Sequence, residues 1–373
     1  MIDKHNLAWS MKCFFQMIFK REAMVLIYLF GMITCLFAEM QNITQKKLPS
    51  KEEFDHNRSF VFVGKSSPSA RGLYESMVPL LNSMESVGEI KITPESFPKI
   101  IIKLDTSAAP GLHSSSNLVD ATLEFLRQRG YSKDKVELLC FNFDQLVRSK
   151  AYSLQSQYRK YKGYKIRTPL DVGFFTSEWF HDSPMPPQVH DRAKFFLQFP
   201  NDLSKRIEEE RKSYIPAALL DSQTYWINLA VVMDDTKLGL NGAASNMSLD
   251  LVSNSQRFRQ DSTLGAAAIT EILAIPEIWE KRLFSIVDLF KYQFAGGGDF
   301  NAEFIDSAPI LLISQNPFSV DSVAWKLIAK SRELRKLSTR SKEEALIFKY
   351  AESLNLGRVV EPKVIRFPSA TQR

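Results

Sequence analysis

Between Leu283 and Ala324 the chain holds two short apolar runs, each ending where polar side chains begin. The first ends at Asp288 and the second at Ser314. Between them stands Gly296-Gly297-Gly298, followed at once by Asp299, Asn301 and Glu303. Apolar runs this short, bounded by turn residues, suit strands buried on both faces. A buried strand that delivers an acidic residue to its end, beside a loop free of side chains, is how open α/β sheets build sites.

The same alternation runs through most of the chain. Ser59–Val63 is a β-rich run leading into Gly64-Lys65-Ser66, which has the letters of a P-loop tail. Ser59 stands where the loop's first glycine belongs, so the segment reads as strand. Arg71–Val87 sets Leu73, Met77, Leu80, Leu81, Met84 and Val87 at helical spacing, with Pro79 inside. Lys99–Leu104 predicts a strand with Asp105-Thr106-Ser107 just past its end. Ser114–Ser116 offer an N-cap for a helix over Asn117–Arg129, Gly130 stops it, and Val136–Phe141 predicts the next strand. That order is a right-handed βαβ unit. Thr224–Met233 predicts a long central strand running into Asp234-Asp235. Helices are expected over Ser262–Ile275, Val320–Lys330 and Lys342–Leu354, and a last strand over Lys363–Phe367. The fold class is therefore α/β: a mostly parallel sheet with helices on both faces. From 144 to 215 the pattern weakens, which predicts a less regular insertion or lid in the middle, with a charged helix over Asn201–Tyr214.

Lys12, Lys20 and Arg21 precede an uncharged apolar run from Ala23 to Ala38. Its length suits a signal peptide and is short of the roughly 20 residues a membrane span needs. Residues 1–38 are thus expected as a signal peptide, 39–57 as a linker and 58–373 as a single α/β domain. Export to a periplasmic or extracellular location follows, with membrane contact only through an uncleaved N-terminal segment. A hydrophobic content of 45% places the chain among globular proteins. The net charge of +6 is scattered. Its densest part, Arg148–Lys165, interleaves with Tyr152, Tyr158, Tyr161 and Tyr164 and reads as a solvated helix and loop, so no nucleic-acid partner is expected. Past the signal segment Cys140 stands alone, which excludes an intrachain disulfide and an iron–sulfur cluster of the chain's own.

Several motifs resemble domain-of-unknown-function family 362, an α/β family without an established activity. Ile227-Asn228-Leu229 matches the start of one family strand, and Ile286-Val287-Asp288 with Gly296–Gly298 matches its Ile-Val-Asp strand and glycine-rich segment. Asn316-Pro317 through Asp321 and Ala324 follows a later family pattern, as does Tyr350–Gly357. The resemblance implies the same fold from about Lys99 onward. Departures fall on polar positions: the family's Lys-Pro-Asn strand end reads Lys103-Leu104-Asp105, and its basic Lys-Thr-His gives way to Asp234-Asp235-Thr236. Relatives with a four-cysteine ferredoxin-like segment suggest electron transfer, which would need a partner to carry the cluster here.

Residues just past the carboxyl ends of parallel strands converge on one crevice. Asp105, Asp234, Asp235, Asp288 and Asn316 are the polar strand ends, with Lys103 nearby. Asp234, Asp235 and Asp288 are the candidate catalytic residues, as an acid–base pair or as oxygen ligands of a divalent cation. Asp288 and Asp321 also fit turns and helix starts. Asn228, Arg257 and the Gly296, Gly297 and Gly298 backbone are candidates for holding a ligand. His181, Asp182, His190 and Asp191 read as loop residues around three prolines. The expected function is an exported enzyme acting on a small anionic or carbohydrate-like ligand. The alternatives are a non-catalytic ligand-binding protein, with Trp179, Phe180 and Tyr292 in its pocket, and an electron-transfer accessory.

Overall fold

The computed structural model describes residues 59–154, 159–183, 202–259, 261–339, 345–357, 359 and 361–367. The expected signal segment and linker, Tyr158, His190 and Asp191 lie outside them. The strands are β1 (Val61–Lys65), β2 (Lys99–Leu104), β3 (Val136–Leu139), β4 (Lys160–Tyr161) and β5 (Tyr164–Arg167). Next come β6 (Phe175–Asp182), β7 (Lys212–Pro216), β8 (Thr224–Ala230), β9 (Met233–Asp235) and β10 (Gly239–Asn241). The last are β11 (Arg282–Asp288), β12 (Tyr292–Gln293), β13 (Ile305–Asp306), β14 (Ile310–Ser314) and β15 (Val364–Arg366). The helices are α1 (Ala70–Gly88), α2 (Ser116–Gln128), α3 (Phe143–Arg148), α4 (Leu203–Glu210) and α5 (Ala217–Leu220). They continue with α6 (Ala243–Asn246), α7 (Ser262–Leu273), α8 (Pro276–Trp279), α9 (Pro317–Leu334) and α10 (Leu346–Ser353).

A nine-stranded sheet in the order β15-β1-β14-β11-β8-β2-β3-β5-β4 organises the fold. Strands β5, β3, β2, β8 and β11 are parallel to one another, and β14 runs against both β11 and β1. The protein is α/β with a mostly parallel sheet. Successive residues of one strand divide between two cores, as a side-chain period of two requires. Ile100 and Ile102 pack with Leu73, Met77 and Leu81 of α1 and Leu118, Phe125 and Leu126 of α2. Ile101, Trp226, Val287 and Leu312 pack instead with Ile269 and Ile272 of α7, Phe318 of α9 and Phe348 of α10. The continuous apolar runs are explained by this burial on both faces. The βαβ unit forms as expected: β2 and β3 are parallel, Ser115 caps α2 by accepting Leu118 N–H, and Gly130 takes φ 93.

Three expectations are corrected. Within the region 144–215, β5 pairs with β3 and extends the main sheet. Tyr152, Tyr161 and Tyr164 are buried there rather than solvated. The helix expected over Asn201–Tyr214 ends at Glu210, and Lys212–Pro216 is strand, paired with β6. Glu208, Glu209 and Glu210 put like charges at the negative end of that helix, and Tyr214 gains an edge-to-face partner in Phe180 across the two strands. The long strand expected over Thr224–Met233 ends at Ala230. Past Val231 and Val232 the chain enters a second, four-stranded sheet, β10-β9-β12-β13.

The direction of β14 matters most for function. No α-helix lies between β11 and β14, so the chain returns antiparallel, with Ser285 opposite Ser314 and Asp288 opposite Leu311. Asp288 and Ser314 therefore lie at opposite ends of the paired stretch of β11 and β14. Asn316, expected in the crevice, instead caps α9 by accepting Phe318 N–H at 2.9 Å, and its amide donates to Leu356 O at 2.6 Å.

Candidate functional site: a crevice at the strand ends

From β2 the chain moves outward through β3 to β5, then returns to place β8 and β11 on the other side of β2. The border of β2 and β8 is thus a topological switch point, where open α/β sheets leave a crevice at the carboxyl ends. Asp105, one residue past β2, holds this border. Its Oδ2 accepts Val231 N–H at 3.1 Å, and its Oδ1 accepts Ser107 N–H and Oγ–H at 3.1 and 2.8 Å. Burial pushes the Asp105 carboxyl up to about 6; the nearby Asp250 adds to the effect and Lys103 opposes it. Lys103 is wholly buried and donates to Asn246 Oδ1 at 2.7 Å and Leu104 O at 2.9 Å. Desolvation holds its ammonium below the usual lysine range.

Beside this border lies a cavity of about 140 Å³ with Ala230, Val231, His113, Ser115, Asp288 and Lys291 among its lining residues. Asp288, at the last position of β11, accepts Ser66 Oγ–H at 2.5 Å and Phe290 N–H at 3.0 Å through Oδ1. Burial raises its pKa and those two donors oppose the rise. His113 comes from the loop after β2, with Nδ1 2.9 Å from Ser114 O. Burial lowers its pKa, the Ser114 carbonyl opposes this, and the Lys291 charge lowers it further. Lys291 follows β11 and donates across the rim to Gly111 O at 2.7 Å. A carboxyl inclined to keep its proton, an imidazole inclined to stay neutral and a cation thus share one opening, a set able to move a proton beside an anion.

The other candidates are placed elsewhere. Asp234 and Asp235 are neighbours in β9, so their side chains point to opposite faces. Asp234 forms a buried ion pair with Arg332 at 3.0 Å, and Asp235 Oδ1 accepts Lys237 and Leu238 N–H, both at 2.8 Å. Neither lines the crevice with Asp288. Among the described residues no three of His, Cys, Asp and Glu come together as a metal-ligating set. Asn228 is fully buried and donates to Ala243 O and Ser285 Oγ. Arg257 is also buried, with its guanidinium donating to Ser183, Glu210 and Arg211 carbonyls, so it pins the segments flanking β6 and β7 instead of facing an anion. Gly296, Gly297 and Gly298 all take positive φ, and a Cβ on Gly297 would come within 2.3 Å of Thr236 Cγ2. Close packing of the turn on β9's end requires glycine there.

His181, expected in a surface loop, is buried with Nε2 2.8 Å from Glu271 Oε2. Tyr292 is buried against Ser331, Phe180 packs edge-to-face on Tyr214, and Trp179 is 38% exposed. Cys140 is buried past β3, its thiol pushed up to about 12 by burial. His113, Lys291 and Ser66 are functional candidates that the strand-end reading passed over. Ser66 and Lys291 each follow a predicted strand by three or four residues, whereas His113 stands nine residues past Leu104, where no local signal marks it.

No protein-family model matches the chain, and no curated protein matches it. Among solved structures it is similar to a Thermotoga maritima protein from the Northeast Structural Genomics Consortium, at 12% identity and a TM-score of 0.36. That match covers 73% of this chain and 60% of the other, so the chain spans less than two thirds of that protein.

Proposed function

We propose that this chain is an exported enzyme that binds a small anionic ligand in the crevice at the ends of β2, β8 and β11. Lys291 meets the anion, and Asp288 and His113 serve as acid and base. The observation that carries this reading is the single opening shared by Asp288, His113 and Lys291. A neutral imidazole can accept a proton near neutral pH, and a carboxyl with a raised pKa can return one. The apolar run Ala23–Ala38 supports export. Membership of domain-of-unknown-function family 362 belongs to the same proposal, supported by the motifs in β11, the glycine turn and α9.

The test is a thermal-shift titration of the protein with small carboxylates and phosphate esters, for wild type and Lys291→Ala. A ligand that binds the native state raises the melting temperature with concentration. Saturable stabilisation that Lys291→Ala weakens is expected; an equal response from both proteins, or none from wild type, sinks the reading. Binding without catalysis is the second reading, because Asp288 Oδ1 already accepts two hydrogen bonds within the protein. Conversion of a stabilising anion by wild type but not by Asp288→Asn would separate the two.

A further inference from the structure

The crevice at the ends of β2, β8 and β11 is small. Its cavity of about 140 Å³ has room for roughly five water molecules, enough for an anionic head group and little beyond it. Lys291 is the single lysine or arginine among the described residues that line it, which matches a head with one negative charge. Any larger ligand must leave through the opening, and there the surface is aromatic. Phe290 lines the cavity and is 42% exposed. Phe300 is 37% exposed, and Lys291 Nζ stands 5.9 Å from the centre of its ring. That ring rests on Gly111, whose carbonyl takes the Lys291 hydrogen bond at 2.7 Å. A Cβ at Gly111 would come within 2.3 Å of the ring, so the missing side chain is what lets Phe300 lie against the loop after β2.

A lone exposed apolar side chain is ordinary on a protein surface. Two large rings beside one cation are different, because together they complement a molecule that is anionic at one end and apolar at the other. Covering the exposed ring faces removes apolar area from water, and that gain is open only to a ligand with a tail. We infer that the crevice takes a carboxylate with an apolar tail, alkyl or aryl. The carboxylate meets Lys291, and the tail leaves the cavity across Phe290 and Phe300. This rests on the anion-binding reading of the same crevice and adds a ligand class to it.

The test titrates the protein with acetate, butyrate, hexanoate and phenylacetate, with hexanol as the uncharged control. Following the His113 imidazole ¹⁵N shifts reads binding in the crevice itself. Affinity is expected to rise about two- to threefold for each added methylene, less than the roughly fourfold of complete burial because the rings stay partly wet. Hexanol is expected to bind at least tenfold more weakly than hexanoate. The double variant Phe290→Ser, Phe300→Ser is expected to reduce the hexanoate-to-acetate affinity ratio at least fivefold. Should it fail to fold, Phe290→Ser alone decides, with a reduction of at least twofold. The inference is overturned if hexanoate binds no tighter than acetate, if the ratio is unchanged in the variants, or if hexanol binds as tightly as hexanoate. Each of those results differs from the failure of the crevice reading, in which no carboxylate binds wild type at all and both fall together.

Discussion

Asp105 Oδ2 accepts the backbone N–H of Val231 at 3.1 Å, which ties the end of β2 to the end of β8 where the strand order reverses. Because burial raises this carboxyl from 3.8 to about 6, the folded state holds its proton more tightly than the unfolded chain does. The resulting stabilisation is complete below pH 3.8 and lost as pH rises through about 6. That displacement corresponds to roughly 3 kcal/mol. Asp105→Asn is expected to flatten the wild-type loss of stability between those values, measured as the urea midpoint against pH. A variant curve parallel to that of wild type would refute the assignment.

Asp234 and Arg332 form an ion pair with both partners buried. Removing one partner leaves the other charge uncompensated, at a cost of about 3–5 kcal/mol. Asp234→Asn and Arg332→Met should each lower stability by that order, and the double variant by less than their sum. Additive losses in a denaturation cycle would show that the pair is not coupled.

The Asp321 carboxylate reaches from α9 to the start of α6 and accepts the N–H groups of Ala243 and Ala244 at 2.7 and 2.8 Å. A Cβ on Gly242 would lie 2.4 Å from Asp321 Oδ1. Gly242→Ala should therefore destabilise by about 1–3 kcal/mol through overpacking, and Asp321→Ala by at least as much through two orphaned donors. Calorimetry checks both; a Gly242→Ala protein as stable as wild type would contradict this packing.

His113 is expected to titrate below its ordinary 6.5, since burial and then the charge of Lys291 both oppose its protonation. In Lys291→Ala the midpoint should move up while staying below 6.5, because burial is the larger cause. Imidazole ¹⁵N shifts followed from pH 4 to 8 report it. An unmoved midpoint would mean that Lys291 does not act on the crevice histidine.

The βαβ unit from Lys99 to Leu139 was legible because its signals are local: continuous apolar runs, a serine cap and a stopping glycine. Asp288 was legible as a strand end for the same reason. Asp234 and Asp235 misled because both follow an apolar run, yet neighbours in a strand face opposite ways. One met Arg332 on α9 and the other turned into its own loop. His113 and Lys291 were passed over because they stand in loops, where no periodicity marks a position.

By itself the sequence determined the main strands β1, β2, β3, β8, β11 and β14 and the helices α1, α2, α7 and α9, since burial on two faces demands continuous apolar runs and one-sided burial a helical spacing. It likewise determined that an acidic residue would stand at the end of β11. Only the tertiary structure decided which strands neighbour which, and that β14 runs backward, because an apolar run reads alike in either direction. Those choices carried Asn316 away from the crevice, drew Asp234 into an ion pair, and left Asp288 with His113 and Lys291.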